Sequence, residues 1–105
     1  MIRSIRAIII DPFLREVREA EIQNQLEEYQ RICGGGYIEF GIWINRKDVL
    51  YVNDFAHWRE SFVIGEQRVF SGCGVITGGN SGERPARVPL DEIRRVVRFV
   101  VAKAR

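Results

Sequence analysis

Residues 34–53 constrain the fold of this chain more than any other stretch. They read GGGYIEFGIWINRKDVLYVN. Three glycines are followed by eight residues rich in β-branched and aromatic side chains, by a polar turn at 45–48, and by a second β-prone run at 49–52. Two β-prone runs joined by a short polar turn are typical of an antiparallel hairpin. The sequence therefore predicts a hairpin around which the rest of the chain is organised.

The two faces of this predicted hairpin differ in character, because side chains alternate along a strand. One face is expected to be apolar scaffold and carries Ile38, Phe40, Ile42 and Ile44. The other face is mixed and carries Tyr37, Glu39, Gly41 and Trp43. An exposed aromatic face calls for a partner or a second subunit. We therefore expect any function of the hairpin to lie on its Trp43 side and at Arg46 and Lys47 in the turn.

Two segments before the hairpin predict a strand pair. Residues 2–10 are almost uninterruptedly apolar and end at Asp11 and Pro12, which suits an interior strand covered on both faces. Residues 13–22 fit either an amphipathic helix or an exposed edge strand guarded by charged side chains. Because a proline-containing turn stands directly before them, we favour an edge strand paired with the first strand.

Residues 24–33 predict the first helix. Asn24 is in a position to cap it, and Glu27 stands three residues later, in the reciprocal position of a capping box. The side chains expected to face the sheet are Leu26, Tyr29, Ile32 and Cys33. The glycines at 34–36 would end this helix. A phosphate-binding loop needs its glycines before a helix, so we interpret these three as a helix stop.

The second half of the chain mixes short strands with helical signals. Residues 54–62 predict a short helical turn capped by Asp54. Segments 62–64 and 69–70 predict an irregular hairpin, and 73–77 predict a final short strand. Residues 78–82 form the longest flexible stretch. Pro89 opens a last helix that is expected to run to Ala104, with acidic residues at its start and basic residues towards its end.

Together these elements predict one small α+β domain spanning residues 1–105, with a mostly antiparallel sheet and two helices packed on one face. The hydrophobic share of 46% and the charged share of 29% are ordinary for a soluble chain. No apolar run approaches the roughly 20 residues that cross a bilayer, and no export signal is evident, so the expected compartment is the cytoplasm. Cys33 and Cys73 are expected to be buried free thiols rather than a disulfide.

Patterns for catalysis and for metal binding are missing from the sequence. A metal site needs three or four converging ligands, which one histidine and two distant cysteines do not supply. His57 is the only imidazole; no nucleophile signature accompanies it, and we interpret it as a loop histidine. Neither a Walker-type nor a dinucleotide-binding motif is present. We therefore expect a protein that is not an enzyme and uses no cofactor and no metal.

Charge is distributed unevenly along the chain. Residues 1–83 carry nine Lys/Arg and twelve Asp/Glu, a net charge of −3, whereas residues 84–105 carry seven Lys/Arg and two Asp/Glu, a net charge of +5. A basic final helix could bind nucleic acid through Arg94, Arg95, Arg98 and Lys103. The net charge of +5 over these 22 residues is modest beside that of a dedicated nucleic-acid arm. A solvated helix face is the simpler alternative.

Two groups of residues are candidate binding sites. The first could grip a phosphate or a nucleotide at the start of the last helix, and the alternative is a plain connector; it comprises Gly78, Gly79, Asn80, Ser81 and Arg84. The second could bind a protein or stack on bases, and the alternative is ordinary sheet packing; it comprises Trp43, Arg46, Lys47, Tyr51, His57 and Trp58.

Four segments of the chain resemble a family of small proteins from bacteriophages and bacterial mobile elements that carry only a domain-of-unknown-function label. The segments read IRAIIIDPFLREVREAEI, LEEYQRICGGGYIE, VLYVND and GCGVITGGNSGE, and together they cover roughly residues 5–83. The basic C-terminal segment lies outside this resemblance. The family brings no catalytic residues to this chain.

The resemblance implies a biological context for the binding sites. Small phage proteins without enzymatic signatures are often inhibitors of host defence or regulators of host machinery. We accordingly expect a non-enzymatic binding protein in the cytoplasm of a host bacterium. It would block a defence system by covering a host protein or by sequestering a small nucleotide signal, and it could be a homo-oligomer. A nucleic-acid-binding regulatory module that uses the basic last helix is the alternative.

Overall fold

The computed structural model describes residues 3–55, 57–66, 68–79 and 84–102. Within these ranges the chain forms eight strands and two helices. The strands are β1 (Ser4–Asp11), β2 (Glu16–Gln23), β3 (Ile38–Trp43), β4 (Asp48–Asn53), β5 (Glu60–Ile64), β6 (Val69–Ser71), β7 (Gly74–Gly78) and β8 (Val97–Val101), and the helices are α1 (Leu26–Ile32) and α2 (Leu90–Val96). The predicted α+β class with a mostly antiparallel sheet is confirmed.

A five-stranded antiparallel sheet in the order β2-β1-β7-β4-β3 forms the body of the molecule. As predicted, β1 is an interior strand and β2 is the edge strand paired with it, from Ser4 opposite Gln23 to Asp11 opposite Glu16. The turn between them is fixed by Asp11, whose Oδ1 accepts hydrogen bonds from the backbone N–H groups of Phe13 and Leu14 at 3.0 and 3.1 Å. This local hydrogen bonding is typical of aspartate in turns.

A three-stranded antiparallel sheet in the order β6-β5-β8 covers one face of the larger sheet. The main core lies between them and contains Ile8, Leu50 and Ile76 of the larger sheet together with Phe62 and Phe70 of the smaller one. The rings of Phe62 and Phe70 lie 5.4 Å apart. The predicted irregular hairpin at 62–70 is confirmed as β5 and β6, and the two sheets form a sandwich around one apolar layer.

The two helices lie on opposite faces of the larger sheet, which corrects the expectation that both would pack on one face. Ile93 of α2 belongs to the main core beside Ile8. Tyr29 of α1 belongs to a second, smaller core with Ala7 and Ile9, whose side chains leave β1 on its other side. Because successive strand residues face opposite ways, the apolar residues of β1 supply both cores.

The last helix is much shorter than predicted. After α2 the chain turns directly into β8, which pairs with β5 from Val97 opposite Ile64 to Val101 opposite Glu60. The segment Val-Arg-Phe-Val-Val is rich in β-branched side chains, which favour a strand once a partner strand is present. The apolar residues that had predicted a helical stripe thus divide between α2 and a strand.

Two local predictions before and after the hairpin are also wrong. Helix α1 begins after Gln25, which takes the N-cap position in place of Asn24 and makes no capping hydrogen bond with its side chain. The Asn24 Oδ1 accepts a hydrogen bond from the Tyr29 hydroxyl at 2.8 Å. The described residues among 54–62 form bends and the start of β5 rather than a helical turn. The predicted helix stop at 34–36 is confirmed, since all three glycines have positive φ, between 74° and 99°.

Candidate functional site

The β3–β4 hairpin is present as predicted, but a bulge interrupts the alternation of β3. The register of the two strands shifts between Phe40 and Ile42. Ile38 therefore packs against the smaller core, while Ile42 and Ile44 pack against the main core on the other side of the sheet. The prediction that these residues share one face with Phe40 is wrong, because one extra residue in a strand reverses the side on which later side chains lie.

The bulge brings two large aromatic side chains together on an exposed strand edge. The rings of Phe40 and Trp43 lie 5.9 Å apart in an edge-to-face arrangement, and each residue is 47% exposed. Strand β3 is at the edge of the five-stranded sheet. An aromatic pair on an open strand edge is unusual for a surface with no binding role, because such an edge is a template for unwanted association.

Beside this pair lies a groove between the hairpin and the α2 region, which we call the hairpin-tip groove. Its larger part has a volume of about 550 Å³. One wall is formed by Ile42, Trp43 and Ile44 and the other by Ile64, Ile93 and Val96. Glu66 and Arg95 also line this part. Most of the walls are therefore apolar, with charged side chains among them.

The groove continues into a basic end at the tip of the hairpin. This part has a volume of about 410 Å³ and is lined by Arg46, Lys47 and Arg87 together with Glu92. Asn45, Val88 and Glu92 line both parts, so the two parts lie next to each other. An apolar channel thus lies beside a cluster of three cationic side chains.

A buried aspartate fixes the basic end from below. Asp48 is fully buried, and its carboxylate accepts hydrogen bonds from the backbone N–H of Arg87 at 3.0 and 3.1 Å and of Val88 at 2.6 Å. The Asn45 side chain adds a contact to the same carboxylate at 3.3 Å. The Asn45 Oδ1 in turn accepts the backbone N–H groups of Lys47 and Asp48. These bonds hold the hairpin turn against the segment that precedes α2.

Arg6 of β1 holds the same segment from its other side. Its Nη1 donates to the carbonyl oxygens of Ala86 at 2.8 Å and Val88 at 3.0 Å, and its Nε pairs with Glu19 at 2.7 Å. The backbone N–H of Ala86 donates back to the Arg6 carbonyl at 2.8 Å. The backbone of the basic end is therefore held by two strands of the larger sheet, and little backbone ordering is needed when a ligand binds.

The second group of predicted binding residues is divided between three places. Trp43, Arg46 and Lys47 line the hairpin-tip groove. Tyr51 lies on the α1 side of the sheet, with its ring stacked 5.9 Å from that of Tyr29. His57 and Trp58 stack on each other at the opposite end of the hairpin, where a Cβ at Gly72 would be 2.6 Å from the Trp58 ring. Only the first three come together.

In the predicted phosphate-binding group, the described residues Gly78 and Gly79 have no free backbone N–H for a phosphate. The N–H of Gly78 donates to the Arg84 carbonyl at 2.8 Å, and the N–H of Gly79 donates to the Lys47 carbonyl at 2.7 Å. Asn80 and Ser81 lie outside the described residues. The helix that follows, α2, has only seven residues.

The basic residues of the predicted last helix do not share a face. The Nε of Arg94 donates to the Val17 carbonyl at 3.1 Å, which ties α2 to β2. Arg95 lines the hairpin-tip groove, and Arg98 lies on β8 opposite Val63. Lys103 lies outside the described residues. A single continuous basic helix is therefore not formed.

Sequence reasoning missed the half of the groove that lies across from the hairpin. Ile64 is distant in the chain from Arg87 and Val96, and all three are distant from the hairpin, so they meet it only through the sandwich. The sequence pattern placed Arg87 only among the basic residues of the C-terminal segment and did not predict it as a binding residue. The one available signal was the alternation of cationic residues with Pro85 and Pro89, which indicates an extended connector that displays its side chains.

Both cysteines are free thiols, Cys33 buried as predicted and Cys73 half-buried. Burial, with a smaller contribution from the charge of Cys73, raises the pKa of the Cys33 thiol to about 12. Burial, with smaller contributions from Asp11, raises the pKa of Cys73 to about 12 as well. Thiols with such high pKa values stay protonated and unreactive at neutral pH.

These raised pKa values predict a loss of stability in alkali. An unfolded thiol ionises near its ordinary pKa of 9.0, whereas the folded thiol keeps its proton until about pH 12. Between these values the folded state binds more protons than the unfolded state, so the free energy of unfolding falls as pH rises. Urea denaturation at about pH 8 and about pH 11 should show this fall. A Cys33→Ala/Cys73→Ala variant should lose less stability over the same range; an equal loss would contradict the assignment.

In the parts of the chain that the structure describes, no three His, Cys, Asp or Glu residues are placed to hold a metal ion together. No helix among the described residues has the length and hydropathy that a membrane span requires. Comparison of the chain with protein-family models, with curated proteins and with solved structures finds no match.

Proposed function

We propose that this protein is a non-enzymatic binding protein that docks on a partner protein through the hairpin-tip groove. The observation that supports this most is the exposed Phe40–Trp43 pair beside a groove whose walls are already fixed. Aromatic side chains and arginine dominate the energetics of protein interfaces. A groove held by the buried Asp48 and by Arg6 meets a partner at low ordering cost.

The biological role we propose is that of a phage-encoded inhibitor of a bacterial defence system, acting in the host cytoplasm. The resemblance to small phage proteins in residues 5–83 supports this role. Of the two modes of inhibition, covering a host protein is favoured over sequestering a nucleotide signal. The reason is that the amides of Gly78 and Gly79 already donate to backbone carbonyls, whereas the groove offers mainly apolar walls.

The proposal is tested by calorimetric titration of the purified protein against a panel of purified bacterial defence proteins and of cyclic nucleotides. A parallel assay measures whether expression of the protein protects a phage from those defence systems. We expect one defence protein to bind and the corresponding system to be blocked. Absence of binding across the panel, together with absence of protection, would contradict the proposed role.

A second role, as a nucleic-acid-binding module, rests on the basic C-terminal segment. Its geometric basis is weaker than the sequence indicated, because Arg94, Arg95 and Arg98 point to different surroundings. It predicts an affinity for DNA or RNA that falls steeply with added salt. Failure to bind either nucleic acid at low salt would remove this alternative.

A further inference from the structure

Among the residues that the structure describes, the cations at the basic end of the hairpin-tip groove have no acidic side chain as an ion-pair partner. The ion pairs of the described residues join Arg6 to Glu19, Arg18 to Asp11, Arg31 to Glu28 and Arg68 to Glu39. Arg46, Lys47 and Arg87 take part in none of these described pairs. Glu92 is the one carboxylate among the described residues that line this end. The basic end therefore carries an excess of positive charge available to an anionic ligand.

The other part of the groove selects a different chemistry. Its walls include Ile42 and Ile44 from the hairpin and Ile64, Ile93 and Val96 from the other side. Its volume of about 550 Å³ lies within the range of roughly 300–1,000 Å³ in which protein pockets enclose organic ligands. Burial of an aliphatic or aromatic side chain there would remove apolar surface from water and so stabilise a complex. This part fits an apolar anchor.

The occupant that fits both parts is a peptide rather than a nucleic acid. Single-stranded nucleic acids are held by several aromatic side chains on which bases stack, whereas Trp43 is the single aromatic residue among the described residues that line the larger part. Glu66 lines this part only and would repel a phosphate backbone that ran through it. A peptide instead offers apolar and acidic side chains in sequence, at about 3.3 Å per residue when extended.

We infer that the hairpin-tip groove binds a linear peptide segment in which an apolar side chain is followed closely by acidic residues. The apolar side chain lies between Ile42 and Val96, and the carboxylates lie against Arg46, Lys47 and Arg87. This inference rests on the proposed function and specifies its partner as a protein that displays such a segment. The acidic part sets the orientation of the segment, and the apolar part supplies most of the affinity.

The inference is tested by selecting binders to the full chain from a library of random peptides. We expect the enriched sequences to share an aliphatic or aromatic residue followed within a few positions by Asp or Glu. An enriched peptide is then synthesised and titrated. A Lys47→Glu/Arg87→Glu variant should weaken its binding about tenfold or more, because both side chains face the acidic part. Neither substitution removes a bond to Asp48, since Arg87 uses its backbone there.

The matched control reverses the same number of charges away from the groove, in an Arg3→Glu/Arg98→Glu variant. Both residues are exposed and absent from the groove lining, so this variant should bind the peptide within about twofold of the unaltered chain. Circular dichroism and urea denaturation confirm that both variants are folded. Equal weakening by the two variants would overturn the assignment of the acidic part to the basic end.

Three other results would overturn the inference. The first is enrichment of basic peptides or of peptides without acidic residues. The second is binding of an oligothymidylate to the unaltered chain that the Lys47→Glu/Arg87→Glu variant abolishes, which would assign the groove to nucleic acid. The third is that no peptide is enriched while a whole partner protein still binds and needs Trp43; the proposed function then stands and the linear segment does not.

Discussion

Replacing Asp48 with alanine should lower the free energy of unfolding by about 3 kcal/mol. The carboxylate is fully buried and accepts hydrogen bonds from the backbone N–H groups of Arg87 and Val88. The hydrogen bond from the Val88 backbone N–H is buried, so alanine at position 48 would leave this N–H without a partner. An unsatisfied buried group of this kind costs about 1–3 kcal/mol. Loss of the Arg87 bonds adds to this cost. The change in midpoint of urea denaturation measures the effect.

The matched control for this substitution is Asp54→Ala. Asp48 is the first residue of β4, and Asp54 comes directly after its last residue. Because Asp54 is exposed, its replacement should change the free energy of unfolding by no more than about 0.5 kcal/mol. Equal effects of the two substitutions would contradict the view that Asp48 fixes the groove. The Asp48→Ala variant, studied where it remains folded, should also bind the partner more weakly, because the segment carrying Arg87 is no longer held against the hairpin tip.

Replacing Trp43 with alanine should weaken binding of the partner protein by about a hundredfold, or about 2.8 kcal/mol. Trp43 belongs to both features of the site, since its ring contacts Phe40 and it lines the groove. Trp43 is 47% exposed in the free protein, so this part of its surface contacts water until a partner covers it. The effect should therefore fall mainly on binding, which calorimetric titration measures, and much less on stability.

Phe55 provides the control for this second prediction. It is an exposed aromatic residue, 70% exposed, near the opposite end of the hairpin, where its ring lies 5.2 Å from that of His57. Phe55→Ala removes a comparable exposed ring without touching the groove and should leave the affinity within about twofold. A larger loss from Phe55→Ala than from Trp43→Ala would move the docking surface to the His57 and Trp58 end.

The parts of the fold that could be predicted from the sequence are those determined by local patterns. Apolar residues along β1, the turn at Asp11 and the glycines that end α1 each act over a few residues, and all three predictions are confirmed. The β3–β4 hairpin was predictable for the same reason. In each of these places the intrinsic preferences of the residues and the final fold agree.

The errors have causes that do not lie near the affected residues. The apolar pattern of residues 97–101 fits a helix. In the structure these residues pair with β5, which is distant in the chain, and their β-branched side chains favour a strand once this partner is present. The bulge in β3 contains Gly41, where a Cβ would be only 3.1 Å from the Leu50 carbonyl oxygen and 3.3 Å from the Phe70 ring. Simple alternation does not anticipate such contacts.

The candidate site illustrates both situations. Trp43, Arg46 and Lys47 were identified from the sequence, because aromatic and basic residues at a hairpin tip indicate binding without further context. The opposite wall could not be identified, since Ile64, Arg87 and Val96 are brought together only by the packing of the two sheets. The groove appears only in three dimensions, and the ligand chemistry that we propose is argued from it.

The central claim is that the hairpin tip docks on a partner protein, and site-specific photocrosslinking in phage-infected bacteria tests it most directly. A photoreactive phenylalanine analogue is placed at Trp43 in one variant and at Phe55 in another. We predict a crosslink to one host protein from position 43 and none from position 55, and the purified host protein should bind the unaltered chain and bind the Trp43→Ala variant weakly. A crosslink from position 55 alone, or binding that Trp43→Ala leaves unchanged, would contradict the account.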